Sequence, residues 1–299
     1  MKPFIDSTTL LDQPAALRAR MRQDGYLFVR GLLPQATLET TYQAILAICQ
    51  QHGWADAIGH AQGMARLEGS PEFWDVYDDL QRLEVFHALA HRPELLGMIA
   101  TLVQEAAFVH PRNIARITFP QAEHFTTPAH QDFVHVQGTP ETYTAWFPLR
   151  DCPQSLGSLL VLAGSHTHDI LPVRKADGAG GLAIDTEALA HEWHGNDFQQ
   201  GDVLFFHSHT VHKALPNRSA DELRISVDYR YQGVSQPIVE DGLLPHYNRL
   251  GWEEIYKGWS QTALQYYWRT LGVKTIERDR SYHQNAAEKS AMASSMTMT

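Results

Sequence analysis

His130 and Asp132, separated by one residue in His-Gln-Asp, are followed 80 residues later by a histidine-rich segment and then by Arg224. Two histidines and one carboxylate are the ligand set of the facial triad that holds non-haem Fe(II). On a strand, residues i and i+2 point to one face, so the spacing predicts a strand on which His130 and Asp132 grip a single ion. A third ligand must then come from a neighbouring strand. His207, His209 and His212 all compete for that place, and spacing alone does not choose between them. Three protein ligands leave half of an octahedron open, which is what oxygen chemistry needs and what a closed structural site lacks.

With 17 histidines in the chain a His-x-Asp pair arises easily by chance, so its surroundings matter. Residues 221–231 alternate, with Ile225, Val227, Tyr229 and Tyr231 on one face and Arg224, Ser226, Asp228 and Arg230 on the other. A polar strand face carrying Arg and Ser at i and i+2 suits an anchor for a carboxylate. A guanidinium binds it through two parallel hydrogen bonds, and a hydroxyl can add a third. Residues 142–149 alternate similarly, with Tyr143, Ala145, Phe147 and Leu149 opposite Thr142, Thr144 and Trp146. The apolar faces are expected under helices and the more polar faces against an active cavity. Thr144 and Ser226 are then candidate hydroxyl donors to a bound acid, with Trp146 as a wall.

Four segments in order resemble the phytanoyl-CoA dioxygenase-like branch of the Fe(II)/2-oxoglutarate oxygenases. They are Asp24 to Leu33, His130 to Phe133, Gly157 to His166, and Gly201 through His212 to Pro216-Asn217-Arg218-Ser219 and Arg224. The resemblance implies an α+β chain whose core is a double-stranded β-helix, a cupin-like jelly-roll with the metal at its open end and helices from both termini around it. It selects His212 as the distal ligand. It also implies Fe(II) on His130, Asp132 and His212, with 2-oxoglutarate and O2 as cosubstrates. Arg224, helped by Ser226 and Thr144, would hold the oxoglutarate. His207 and His209 become supporting or packing residues, and His166 a member of its turn. The reaction implied is hydroxylation or related oxidation of a small molecule, in secondary metabolism, with release of succinate and CO2. Asp132 fills the position that halogenating relatives leave open for chloride. Two other classes fit less well. A non-oxidative Zn(II) or Mn(II) hydrolase or isomerase would not need the second carboxylate anchor, and a silent binding module would not need three ligands.

Composition fits an enzyme of small molecules. Lys+Arg of 24 against Asp+Glu of 34 gives a net charge of −10, a poor footing for nucleic-acid binding. Cys49 and Cys152 imply no disulfide framework. No apolar run is long enough for a membrane span or signal peptide, so a cytoplasmic protein is expected, as a monomer or homodimer.

The elements that must position these residues follow from periodicity. Helices are expected over Pro14 to Gln23, Pro34 to Gln51, Asp79 to His91, Pro93 to Ala107 and, rich in Trp and Tyr, Pro245 to Leu271. Strands are expected over Tyr26–Val29, Ile114–Phe119, Ala129–Val136, Tyr143–Leu149, Ser158–Leu162, Val203–His207 and Leu223–Tyr231. Residues 1–284 read as one domain, mainly helical over residues 1–111, with a strand-rich core at 112–232 and C-terminal helices at 245–272. Substrate walls are expected from Phe133 to His135 and from the Trp252 to Trp268 region. Residues 285–299, small and polar, read as a disordered tail.

Overall fold

The structure, a computed structural model, describes residues 1–122 and 125–282; the tail expected at 285–299 lies outside them. The first half builds helices α1 (Pro14–Asp24), α2 (Gln35–Gln51), α3 (Pro71–Gln81), α4 (Glu84–Ala90) and α5 (Pro93–Val103), with strand β1 (Tyr26–Val29) between the first two. Leu38, Tyr42, Ile45, Leu46 and Cys49 give α2 its buried stripe at helical spacing, as expected. Helix α3 was not expected before Asp79, although Pro71 at its start and Phe73, Val76, Tyr77 and Leu80 spell one buried face. Helix α5 stops at Val103 because Gln104 turns left-handed (φ 60°), so Ala107 begins a strand instead of ending a helix.

The strands that follow are β2 (Ala107–Val109), β3 (Ile114–Thr118), β4 (Tyr143–Pro148), β5 (Leu159–Leu162), β6 (Val173–Lys175), β7 (Leu182–Ile184), β8 (Trp193–His194), β9 (Val203–His207), β10 (His212–Ala214) and β11 (Arg224–Gly233). The larger sheet runs β1-β9-β4-β11-β2, with β3 also paired to β11, and every pairing within it is antiparallel. The smaller antiparallel sheet is β10-β5-β8, and β6 with β7 forms a hairpin. The chain is therefore α+β with antiparallel sheets.

All ten residues of β11 are buried because both faces are covered. Ile225, Val227, Tyr229 and Tyr231 join Ala145 and Phe147 of β4 in the core beneath α1, α2, α4 and α5. The Tyr229 and Tyr231 hydroxyls donate to the Phe86 and Ala90 carbonyls of α4, so neither is buried unpaired. Burial of each such large side chain contributes about 1.5–3 kcal/mol relative to exposure. A second core lies between the sheets, where Tyr26, Phe28, Trp146, Leu204 and Phe206 meet Leu159, Val161 and Ala214. The expected division of faces holds: apolar positions pack under helices, and Arg224, Ser226, Asp228 and Arg230 turn inward between the sheets.

Gly25 joins α1 to the larger sheet. It caps the helix in the left-handed region (φ 76°), and a Cβ there would overlap the His166 ring. Its carbonyl accepts from Thr210 Oγ1 (2.7 Å) and from the His207 amide, which ties this turn to the segment carrying His212.

Two further expectations fail. Ala129–Val136 is not a strand: His130 makes one antiparallel bridge to His212, after which Asp132 is helical (φ −61°, ψ −31°) and caps a short helix α6 (Phe133–Val136). The ladder ends there because the Phe133 amide donates to Ser208 and those of His135 and Val136 donate to Asp132. Among the described residues the C-terminal region holds no long helix, only 3-10 turns, the single α turn α7 (Trp252–Ile255), and β12 (Ile238–Val239) paired in parallel with β13 (Thr275–Ile276). Among the described residues no helix is long and apolar enough to cross a membrane.

Candidate metal centre and acid pocket

His130, Asp132 and His212 are all buried, and one ligand atom from each lies within 4.8 Å of the others, a grouping that could hold a metal ion. The bridge between His130 and His212 brings the two imidazoles to 4.2 Å between ring centres. Each Nδ1 faces a backbone carbonyl, Pro128 at 2.8 Å for His130 and Thr210 at 3.0 Å for His212. A proton on Nδ1 serves those bonds and leaves Nε2 bare, and both Nε2 atoms approach Asp132 Oδ1, at 3.6 and 3.9 Å. Burial, with the neighbouring His130, pushes His212 down to about 3, so it is a neutral donor. Burial alone would raise the Asp132 carboxyl. The Arg230 guanidinium and the two histidines outweigh it and hold the group well below the usual carboxylate range. Two imidazole nitrogens and a carboxylate at these distances fit a divalent metal.

Asp132 is gripped by a cross-strand pair. Thr144 on β4 lies opposite Arg230 on β11. Thr144 Oγ1 donates to Asp132 Oδ2 at 2.5 Å, and Arg230 donates to Oδ1 at 3.0 Å. Thr144, expected as a donor to oxoglutarate, here gives its one hydroxyl proton to Asp132. Arg230 was not singled out in the sequence, although it shares the polar face of β11 with Arg224, three side chains further along.

Arg224 is 3 % exposed and lies opposite Thr118 of β3. Its terminal nitrogens donate to Ser226 Oγ (2.7 Å) and Thr118 Oγ1 (2.6 Å), its Nε has no partner, and among the described residues no carboxylate pairs with it. Asn217 secures the turn before it, donating to the Thr118 and Glu222 carbonyls and accepting from Ser219. Arg224 lines a narrow pocket together with His130, His212, Trp146 and Arg230. His130 and Asp132 also line a wider cavity of about 380 Å³.

The family pattern of phytanoyl-CoA dioxygenase (PhyH) matches residues 21–226. The chain belongs to that family. As a phytanoyl-CoA dioxygenase family member it is an Fe(II)- and 2-oxoglutarate-dependent dioxygenase. Two curated relatives carry the name 1-deoxypentalenic acid 11-beta-hydroxylase. The one from Streptomyces exfoliatus is 26% identical over 88% of this chain and 95% of its own. That from Streptomyces arenae is 27% identical over 78% and 86%. Among solved structures, the epimerase SnoN in complex with Fe3+, alpha ketoglutarate and nogalamycin RO superposes with a TM-score of 0.55, at 22% identity over 75% of this chain and 86% of that one. The non-heme monooxygenase ThoJ gives 0.54 at 20% identity, covering 85% and 98%. At such identities the structural likeness is one of fold.

Other expected residues fall elsewhere in this family member. His166 Nε2 donates to the Arg22 carbonyl (3.0 Å), within its turn. The His209 amide donates to His207 Nδ1, and the His209 ring packs on Phe133, away from the triad. Of the expected walls, His135 lines the wide cavity, whereas Val134 is buried beneath it among Leu162 and Val211. Trp252 and Trp268 pack with Phe108, Ile238 and Tyr256 in a separate core and do not line the cavity. The turns at Asp241–Gly242 and His246–Asn248 do so instead.

Proposed function

We propose that His130, Asp132 and His212 hold one Fe(II), and that Arg224 with Ser226 pairs with the distal carboxylate of 2-oxoglutarate in the narrow pocket. The enzyme hydroxylates, or otherwise oxidises, an unactivated C–H of a small molecule held in the wide cavity. One observation carries the reading: a buried guanidinium, with no carboxylate partner among the described residues, lines one pocket with the two histidines of the triad. Iron with oxoglutarate and O2 supplies the oxidation, releasing succinate and CO2. The chain's share is orientation. Pro128 and Thr210 set the imidazole faces, Thr144 and Arg230 set the carboxylate, and β11 sets the separation between triad and anchor. The two antiparallel sheets packed across Trp146 and Phe206 support a double-stranded β-helix, and we take residues 1–284 as one domain around it. A role in natural-product biosynthesis follows from the two named hydroxylases, whose substrate, 1-deoxypentalenic acid, is the first to try. Oxoglutarate-dependent O2 uptake and succinate formation on adding Fe(II) test the reading. A protein that hydrolyses or isomerises with Zn(II), or is silent with Fe(II), refutes it.

Thr144→Val should weaken metal binding by roughly 10–100-fold, the usual cost of losing a group that orients a ligand, and leave KM for oxoglutarate unchanged. A raised KM with intact metal affinity would restore Thr144 to the oxoglutarate pocket.

Hydroxylation without halogenation is expected, because Asp132 fills the coordination position that chloride would need. Turnover of the wild type with oxoglutarate, O2 and excess chloride or bromide should give no carbon–halogen bond in the product. One halogenated product from the unmodified protein would overturn this.

A further inference from the structure

Four arginines face the wide cavity beside the triad: Arg112, Arg116, Arg230 and Arg278. Three are already matched by acids. Arg116 donates to Asp228 at 3.0 Å, with Glu68 at 3.8 Å. Arg230 donates to Asp132 at 3.0 Å. Arg278 grips Asp241 with a fork of 2.6 and 2.7 Å. Arg112, on the loop between β2 and β3, forms no ion pair among the described residues. Its hydrogen bond there is a long one, from Nε to the Leu244 carbonyl at 3.4 Å. Burial, with Arg278 and Arg230 adding to it against the pull of Asp241, lowers its pKa, as expected of a cation short of compensation. His110 and His246 on the wall contribute no charge, since burial pushes His110 down to about 3 and His246 well below its ordinary range.

We infer that Arg112 anchors a carboxylate of the substrate, so that the enzyme's substrates are apolar monocarboxylic acids. This rests on the oxygenase reading above and adds the class of molecule oxidised. One unmatched planar guanidinium suits one planar carboxylate. A phosphate dianion would call for a second free cation, and the other three arginines are taken. Ile114, Val136, Ala179 and Tyr247 form the apolar part of a wall that also carries Thr127 and Asn248, which suits a largely apolar body. The volume of about 380 Å³ lies in the range of small-molecule sites. Arg112 does not line the narrow pocket that Arg224 lines, so the two cations receive two separate acids.

The test uses the full chain, anaerobic, loaded with Fe(II) and oxoglutarate, and follows the metal-to-oxoglutarate charge-transfer absorption. Adamantane-1-carboxylate, abietate and 1-deoxypentalenate are titrated in, each beside its methyl ester, into wild type, Arg112→Gln and Arg112→Lys. The absorption should form in all three proteins, which shows that each is folded and loaded. At least one acid should perturb it in the wild type, and Arg112→Gln should weaken that acid roughly ten- to a hundredfold. Arg112→Lys should recover some of the loss, and the esters should bind no better than the acids bind to Arg112→Gln. The inference is overturned if Arg112→Gln binds the acids as tightly as wild type does, if esters match acids, or if no acid perturbs the absorption. No absorption in the wild type would sink the oxygenase reading itself, and this inference with it.

Discussion

Alanine at His130, Asp132 or His212 is expected to abolish tight iron binding and turnover together. Each change removes one of three protein ligands, a larger loss than the roughly 10–100-fold that follows from deleting a group that only supports a ligand. The three are not equivalent in the folded protein. Removing Asp132 also leaves Arg230 buried without its carboxylate and Thr144 without its acceptor. Asp132→Ala should therefore lower thermal stability as well, since an uncompensated buried charge is costly. Either histidine loses a ring whose Nδ1 reaches only a loop carbonyl, so His130→Ala and His212→Ala should fold near normally. Iron titration with parallel succinate assays on the three variants and His209→Ala makes the check. If His212→Ala binds iron and turns over normally while His209→Ala does not, the ligand choice is wrong.

Arg224→Leu should raise KM for oxoglutarate by roughly one and a half to three and a half decades, the equivalent of losing a charge-assisted contact of about 2–5 kcal/mol. Iron binding without oxoglutarate should be unaffected, because Arg224 bonds Ser226 and Thr118 and does not touch Asp132. Arg224→Lys keeps the charge without the fork and should fall between the two. The measurement is initial rate against oxoglutarate concentration at saturating Fe(II). An unchanged KM would move the anchor elsewhere, most directly to Arg112 or Arg116.

Both predictions use residues that were legible before any fold was known. Alternation along residues 224–231 is strictly local: a strand's period of two assigns faces whatever the strand packs against. It therefore placed Arg224 and Ser226 on one face and the two tyrosines on the other, which is how β11 is buried. Helix α2 and the strand at Tyr26–Val29 were readable for the same reason.

The His-x-Asp spacing is a different case. The expected strand through Ala129–Val136 named residues that the structure does bring together, but by a different geometry. His130 bridges His212, but Asp132 reaches the same point from a helical turn, because Ser208 takes the next amide out of the ladder. Pairing partners 80 residues apart decide that, and no local period encodes them.

What the sequence by itself determined was the chemical set: two histidines and a carboxylate in a family order, with an arginine on a polar strand face. Tertiary structure alone decided how those groups are supported. The register of β4 against β11 sets Thr144 opposite Arg230, and both close on Asp132, so a residue expected to meet oxoglutarate holds the carboxylate. Packing of the C-terminal aromatic residues on Phe108 and Ile238 likewise made them a core and left the cavity wall to the turns between. Side-chain identity and period are properties of short stretches. Register, pairing and the partner of each buried polar group are set by contacts distant in sequence, where the requirement that buried donors and acceptors be satisfied selects one arrangement.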